Sequence, residues 1–163
     1  SGWRKTILHP EHMIKVKLTP SGFNLMGEKT TPSGELSMHG QLQRFQKRTT
    51  AVVHLHPTNI IAAMYAGWDL QKLASEFPEV SRYTQVGPSV PVLPVTSHAL
   101  ACATHAAFTN REETGTNILK FDIVGQANHG VCAVGLNPWD AYEHVERLEH
   151  ICEIALKSGV THG

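Results

Sequence analysis

Apolar and polar residues alternate along Ile14-Lys15-Val16-Lys17-Leu18. This period of two places one face of a strand toward a core and the other toward water. Thr19-Pro20-Ser21-Gly22 is a turn signal, so the chain is expected to return as a hairpin through Phe23 to Met26. The period then lengthens. Met38, Leu42 and Phe45 fall at helical spacing, with Arg44, Lys47 and Arg48 near the end, where the helix dipole favours cations. Ala51-Val52-Val53-His54-Leu55-His56-Pro57 reads as a strand stopped by proline, after which Thr58 is placed to cap a helix through Ile60, Ile61, Met64 and Tyr65.

A second short helix is expected from Leu70 to Phe77. The prolines between Val86 and Pro94 lack a ladder donor, so that run fits an edge strand or an extended loop. Ser97 to Phe108 is Ala-rich and opens on a capping serine, which makes it a helix. Ile118 to Val124 and Val131 to Val134 read as strands joined by Gln126-Ala127-Asn128-His129-Gly130. Asn137-Pro138-Trp139-Asp140 is a strong helix start, and Ala141, Val145, Leu148, Cys152 and Ala155 form that helix's buried stripe before Gly159 ends it. Strands grouped early and late with helices between them define a mixed α/β class.

Composition narrows the partners. With 163 residues, 41% hydrophobic and 17% charged, the chain is sized for one globular domain. Fourteen basic residues balance fourteen acidic ones, so no broad field points to nucleic acid, and an anionic substrate must be met by a local site. No apolar run approaches a membrane span and no signal-peptide layout opens the chain. Cys102, Cys132 and Cys152 are odd in number, without Cys-x-x-Cys spacing, and sit among apolar or small residues. They read as buried free thiols, and the protein as cytoplasmic.

Eleven histidines remain to be sorted. His9, His12, His98 and His105 fit surface or packing roles, and His144 and His150 flank the stripe of the last helix as solvated side chains. His54 and His56 differ, because residues two apart on a strand face the same way. They are either two hydrogen-bonded strand histidines or a metal chelate. His129, beside a glycine at a strand junction, can project into a cleft and is the candidate third ligand. Glu35 follows a Ser-Gly turn at a helix start, where a carboxylate either complements the dipole or is aimed into a site.

At these residues the chain resembles the class II aldolase and adducin family. The matching words are Pro32-Ser33-Gly34-Glu35, then Ala51 through Pro57, then Asn128-His129-Gly130-Val131 followed by the helix containing Ala141-Tyr142-Glu143. They occur in the family's order across nearly the whole chain. The resemblance implies a three-layer α/β/α fold with a central, largely antiparallel sheet, a single domain over residues 1–163, and often a tetramer of identical chains. Family members usually begin with a helical segment and a Gly-Asn-x-Ser phosphate loop, and residues 1–163 are expected to lack both.

The resemblance further implies that His54, His56 and His129 hold a divalent metal, usually Zn2+, with Mn2+, Fe2+ or Co2+ as alternatives. It makes Glu35 the catalytic acid/base. Ser1 and Gly2 match the end of one phosphate-binding loop, and Ser33 and Gly34 the second, where many members carry two serines. The implied activity is metal-dependent cleavage or formation of a C–C bond in a ketose 1-phosphate, giving dihydroxyacetone phosphate and an aldehyde. Epimerase, dehydratase and decarboxylase reactions use the same metal site. An adducin-like interaction module is the alternative of another class. Thr58-Asn59-Ile60-Ile61-Ala62 is closer to the rhamnulose-phosphate than to the fuculose-phosphate branch.

Overall fold

A computed structural model describes residues 9–27, 31–44, 51–109 and 119–160. The expected hairpin forms from β1 (Val16–Thr19) and β2 (Gly22–Leu25), paired antiparallel. Helix α1 spans Leu36–Arg44; Phe45, Lys47 and Arg48, assigned to its end from sequence, lie outside the described residues. The main sheet comprises β3 (Ala51–Leu55), β4 (Ile123–Gln126) and β5 (Gly130–Gly135), in the order β3-β5-β4. Both pairings are antiparallel. The proline-rich run touches the free edge of β4 through isolated bridges at Val86 and Val90, as an edge segment short of ladder donors should.

Helices cover both faces of this sheet, so the fold is the three-layer α/β/α arrangement with an antiparallel centre. On one face Val124, Cys132 and Val134 pack with Met38 and Leu42 of α1 and with Ala101 and Phe108 of α5 (His98–Phe108). On the other, Ile123, Val131 and Ala133 pack with α2 (Thr58–Tyr65), α3 (Leu70–Ser75), α4 (Pro78–Tyr83) and α6 (Pro138–Ser158). Met38, Leu42 and Phe108 are fully buried, each stabilising the fold by about 1.5–3 kcal/mol. His54 pairs in register with Cys132, which places its side chain on the face shared with α1 and α5.

Local signals explain most boundaries. Asn137 Oδ1 accepts from the Trp139 and Asp140 N–H groups at 3.0 Å each, and Pro138 takes the first helical position, where its missing N–H costs nothing. Ser97 caps α5 through Leu100 N at 3.0 Å, and Asp69 caps α3. Among the described residues no helix is long and apolar enough to cross a membrane.

Four local expectations are corrected. The cap of α2 is Pro57, with no side-chain cap bond from Thr58; the Glu149 carboxylate of α6 instead accepts from Asn59 N at 3.0 Å and Ile60 N at 2.9 Å. The strand expected over Ile118–Val124 is β4 at Ile123–Gln126, because Leu119 and Phe121 pack onto the α1/α5 core rather than pairing. His144 is buried, not solvated, since Thr84 Oγ1 lies 2.9 Å from its Nδ1 and satisfies the ring. Cys102 is exposed, while Cys132 and Cys152 are buried as expected.

Candidate metal centre

The centre is assembled where the β4–β5 hairpin meets the end of β3. Gly130, the first residue of β5, makes that approach possible: a Cβ there would lie 2.3 Å from the Leu55 carbonyl oxygen and 2.7 Å from His56 Cδ2. Only glycine lets the strands close at this height. In the preceding turn Asn128 adopts φ 56°, which asparagine tolerates, and His129 N–H donates to Gln126 O at 3.0 Å. The turn therefore delivers the His129 ring to the two histidines of β3.

The three rings form a near-equilateral cluster, with each pair of centroids 4.9 Å apart. One ring nitrogen from each lies within 4.8 Å of the others. His54 Nδ1 is 2.9 Å from the Val131 carbonyl oxygen. A carbonyl can only accept, so Nδ1 carries the proton and Nε2 presents its lone pair. That Nε2 is 3.1 Å from His56 Nε2. Nitrogens bound about 2.1 Å from one tetrahedral ion sit about 3.4 Å apart, so this pair is already at ligand spacing.

Electrostatics point the same way. Burial pushes the His54 imidazole down to about 4, and the His56 and His129 rings press in the same direction, while the Val131 carbonyl opposes them. His54 is thus neutral at pH 7, the form a metal requires. His129 Nδ1 is buried with no hydrogen-bond partner among the described residues. A buried, unpaired ring nitrogen is costly unless a ligand takes up the imidazole. These residues fit a divalent cation.

Glu35 lies just before α1, buried at 8% exposure. Its backbone N–H donates to Ser33 Oγ at 3.2 Å, and its Oε1 accepts from Thr96 N–H at 3.0 Å. Burial raises the Cys132 thiol and the Glu35 charge adds to that rise, while burial lowers His39 and the same charge opposes it. Cys132 is the cross-strand partner of His54, so the carboxylate acts on the face of the sheet from which His54 projects. Ser33 and Gly34 are exposed beside it. Ser1 and Gly2 lie outside the described residues.

Sequence reasoning did not single out Thr96, Glu149 or the Val131 carbonyl as parts of the site's support. Their roles are contacts across 61, 90 and 77 residues of chain, and no local pattern encodes them.

Fold and centre together define a three-layer α/β protein with a cluster of three histidines that could hold a metal ion at one end of an antiparallel sheet. The chain belongs to the class II aldolase and adducin family: residues 1–156 match the Class II Aldolase and Adducin N-terminal domain. Class II aldolases are metal-dependent, and among the described residues these three histidines could bind a metal. The fold is similar to that of a sugar-phosphate aldolase from Thermotoga maritima, with 24% identity and a TM-score of 0.67 over 85% of this chain and 60% of that one. An L-fuculose 1-phosphate aldolase matches with 20% identity and a TM-score of 0.64, over 87% of this chain and 62% of that one. YgbL from Escherichia coli, whose description names aldolase, epimerase and decarboxylase as alternatives, matches with 26% identity and a TM-score of 0.65, over 88% and 65%. The chain spans less than two thirds of the length of each of these three. No curated protein sequence is significantly similar to it.

Proposed function

We propose that this chain is a lyase of the class II aldolase type that cleaves or forms a C–C bond in a ketose, with a ketose 1-phosphate as the substrate class and Zn2+ as the metal. The observation that carries the reading is the three-histidine cluster, with its pre-set His54 tautomer and the buried, unpaired His129 Nδ1. The sugar-phosphate aldolases among its structural relatives support the substrate class.

His54, His56 and His129 would hold the ion, and the Val131 carbonyl fixes the His54 tautomer so that Nε2 keeps a free lone pair. A bound divalent ion supplies a local positive charge that stabilises negative charge developing on substrate oxygens. Glu35 moves the proton at the substrate carbon where the bond breaks or forms, using the carboxylate oxygen not held by Thr96. Ser33 and Gly34, with Ser1 and Gly2, bind the phosphate end, and Ser33 Oγ, which already accepts from Glu35 N–H, keeps its own proton to donate. Residues 1–163 act as one domain within a homotetramer. The three free cysteines support a cytoplasmic setting.

The description of the YgbL structure favours epimerase or decarboxylase chemistry as the second reading. Both also need a proton moved beside a carbonyl, so the same residues serve them. The deciding experiment is elemental analysis of purified protein, followed by a retro-aldol screen over phosphorylated and unphosphorylated ketoses, with and without chelator. Stoichiometric zinc and chelator-sensitive release of dihydroxyacetone phosphate are expected. Metal absent from every preparation, with no chelator effect, would overturn the lyase reading; epimerised or decarboxylated product would select the second.

A further inference from the structure

The turn before α5 holds a conformation its own sequence disfavours. Thr96 sits at φ 59°, the left-handed region, where a β-branched side chain crowds the backbone. Among the described non-glycine residues only Asn128 shares a positive φ, and asparagine adopts it readily. Strain of this kind persists where the surroundings over-determine the residue.

Two contacts do so on one side. Thr96 N–H donates to Glu35 Oε1 at 3.0 Å. Its methyl carbon Cγ2 lies where a Cβ on Gly34 would come within 2.7 Å. On the other side the turn runs straight into Ser97, the cap of α5. That helix packs through Ala101 and Phe108 against Met38 and Leu42 of α1, the helix that Glu35 precedes. The N-termini of the two helices are therefore held together, with Thr96 between them.

We propose that the Thr96 turn is a positioning clamp on Glu35: the Thr96 N–H fixes one carboxylate oxygen, and the Thr96 methyl seats on Gly34, so the acid/base arm has one orientation. The proposal rests on Glu35 acting as the acid/base. One oxygen is committed to the backbone, which leaves the other for the proton of the substrate. Gly34 belongs to the same device. A side chain at that position displaces the clamp before it can offer a hydroxyl to substrate, which separates this loop from one carrying two serines.

The test combines three readouts on the full chain. By NMR, the Thr96 amide should exchange with deuterium at least about tenfold more slowly than in Glu35→Ala, because the carboxylate protects it; equal rates would overturn the clamp. Thr96→Pro removes the N–H and forces φ to about −65°. It should lower kcat at least about tenfold at unchanged KM and metal content, and Thr96→Gly, which keeps the N–H without strain, should recover most of that loss. Loss of activity only in proportion to metal content or folded fraction would make Thr96 merely structural.

The third readout needs no turnover. Gly34→Ser should lower the melting temperature in the wild-type background and much less when combined with Thr96→Gly, since that change clears the methyl; strict additivity would overturn the contact. If no variant, wild type included, shows lyase activity, the proposed function fails, while the exchange and melting measurements still decide the clamp.

Discussion

The first turn of α2 is capped from a distance, and removing that cap gives the sharpest test of how the site is supported. Glu149 accepts from Asn59 N at 3.0 Å, from Asn59 Nδ2 at 2.9 Å and from Ile60 N at 2.9 Å. Backbone N–H groups at a helix start have no partner inside the helix, and an anion there also meets the positive end of the dipole. Hydrogen bonds to a charged group contribute about 1.5–3 kcal/mol each when buried, and loss of an N-cap costs about 1 kcal/mol. Glu149 is only half-buried, so water reaches the freed donors and the lower end applies.

Glu149→Ala should therefore cost about 2 kcal/mol, a fall in melting temperature of roughly 4–8 °C for a chain of this size. Glu149→Gln keeps one acceptor oxygen but turns an amide donor toward donors, and should lose about half as much. The assay is thermal unfolding followed by circular dichroism on metal-free protein, with zinc titration of the same samples. Because only Pro57 separates His56 from α2, zinc affinity should fall with the cap. A melting temperature for Glu149→Ala within about 1 °C of wild type would refute the cap.

Three further outcomes are expected. Alanine at His54, His56 or His129 should remove stoichiometric zinc, and Gly130→Ala should do the same by forcing β5 away from the Leu55 carbonyl; metal retained by Gly130→Ala would show that the approach is not needed. Burial holds His39 and His54 below the ordinary histidine value of 6.5, so on acidification the unfolded chain takes up protons that the folded metal-free protein refuses. Stability is then complete above pH 6.5 and declines as pH falls from 6.5 toward the His54 value of about 4; a urea midpoint unchanged between pH 7 and pH 4.5 would contradict that sign. Burial raises the Cys132 thiol and pushes Cys152 up to about 12, whereas Cys102 is exposed. Ellman's reagent should therefore titrate one thiol per native chain and three after denaturation, and a second fast thiol would refute the burial.

The sequence alone determined the elements whose causes are local. The alternation around Val16 and the turn word after it produced the hairpin, and Ser97, Asn137 and Pro138 set helix starts through their own side chains and rings. The two-residue spacing of His54 and His56 fixed a shared face, because strand geometry allows nothing else. Tertiary structure decided what sequence spacing leaves open. It brought His129 to that face through a glycine whose missing Cβ admits the Leu55 carbonyl, and it fixed the His54 tautomer through a carbonyl 77 residues away. It also buried His144 against Thr84, exposed Cys102, and gave the cap of α2 to Glu149 rather than Thr58. Apart from the exposure of Cys102, each of these is a contact between segments distant in the chain. Its energy depends on how three layers stack, and no periodicity of two or 3.6 records that stacking.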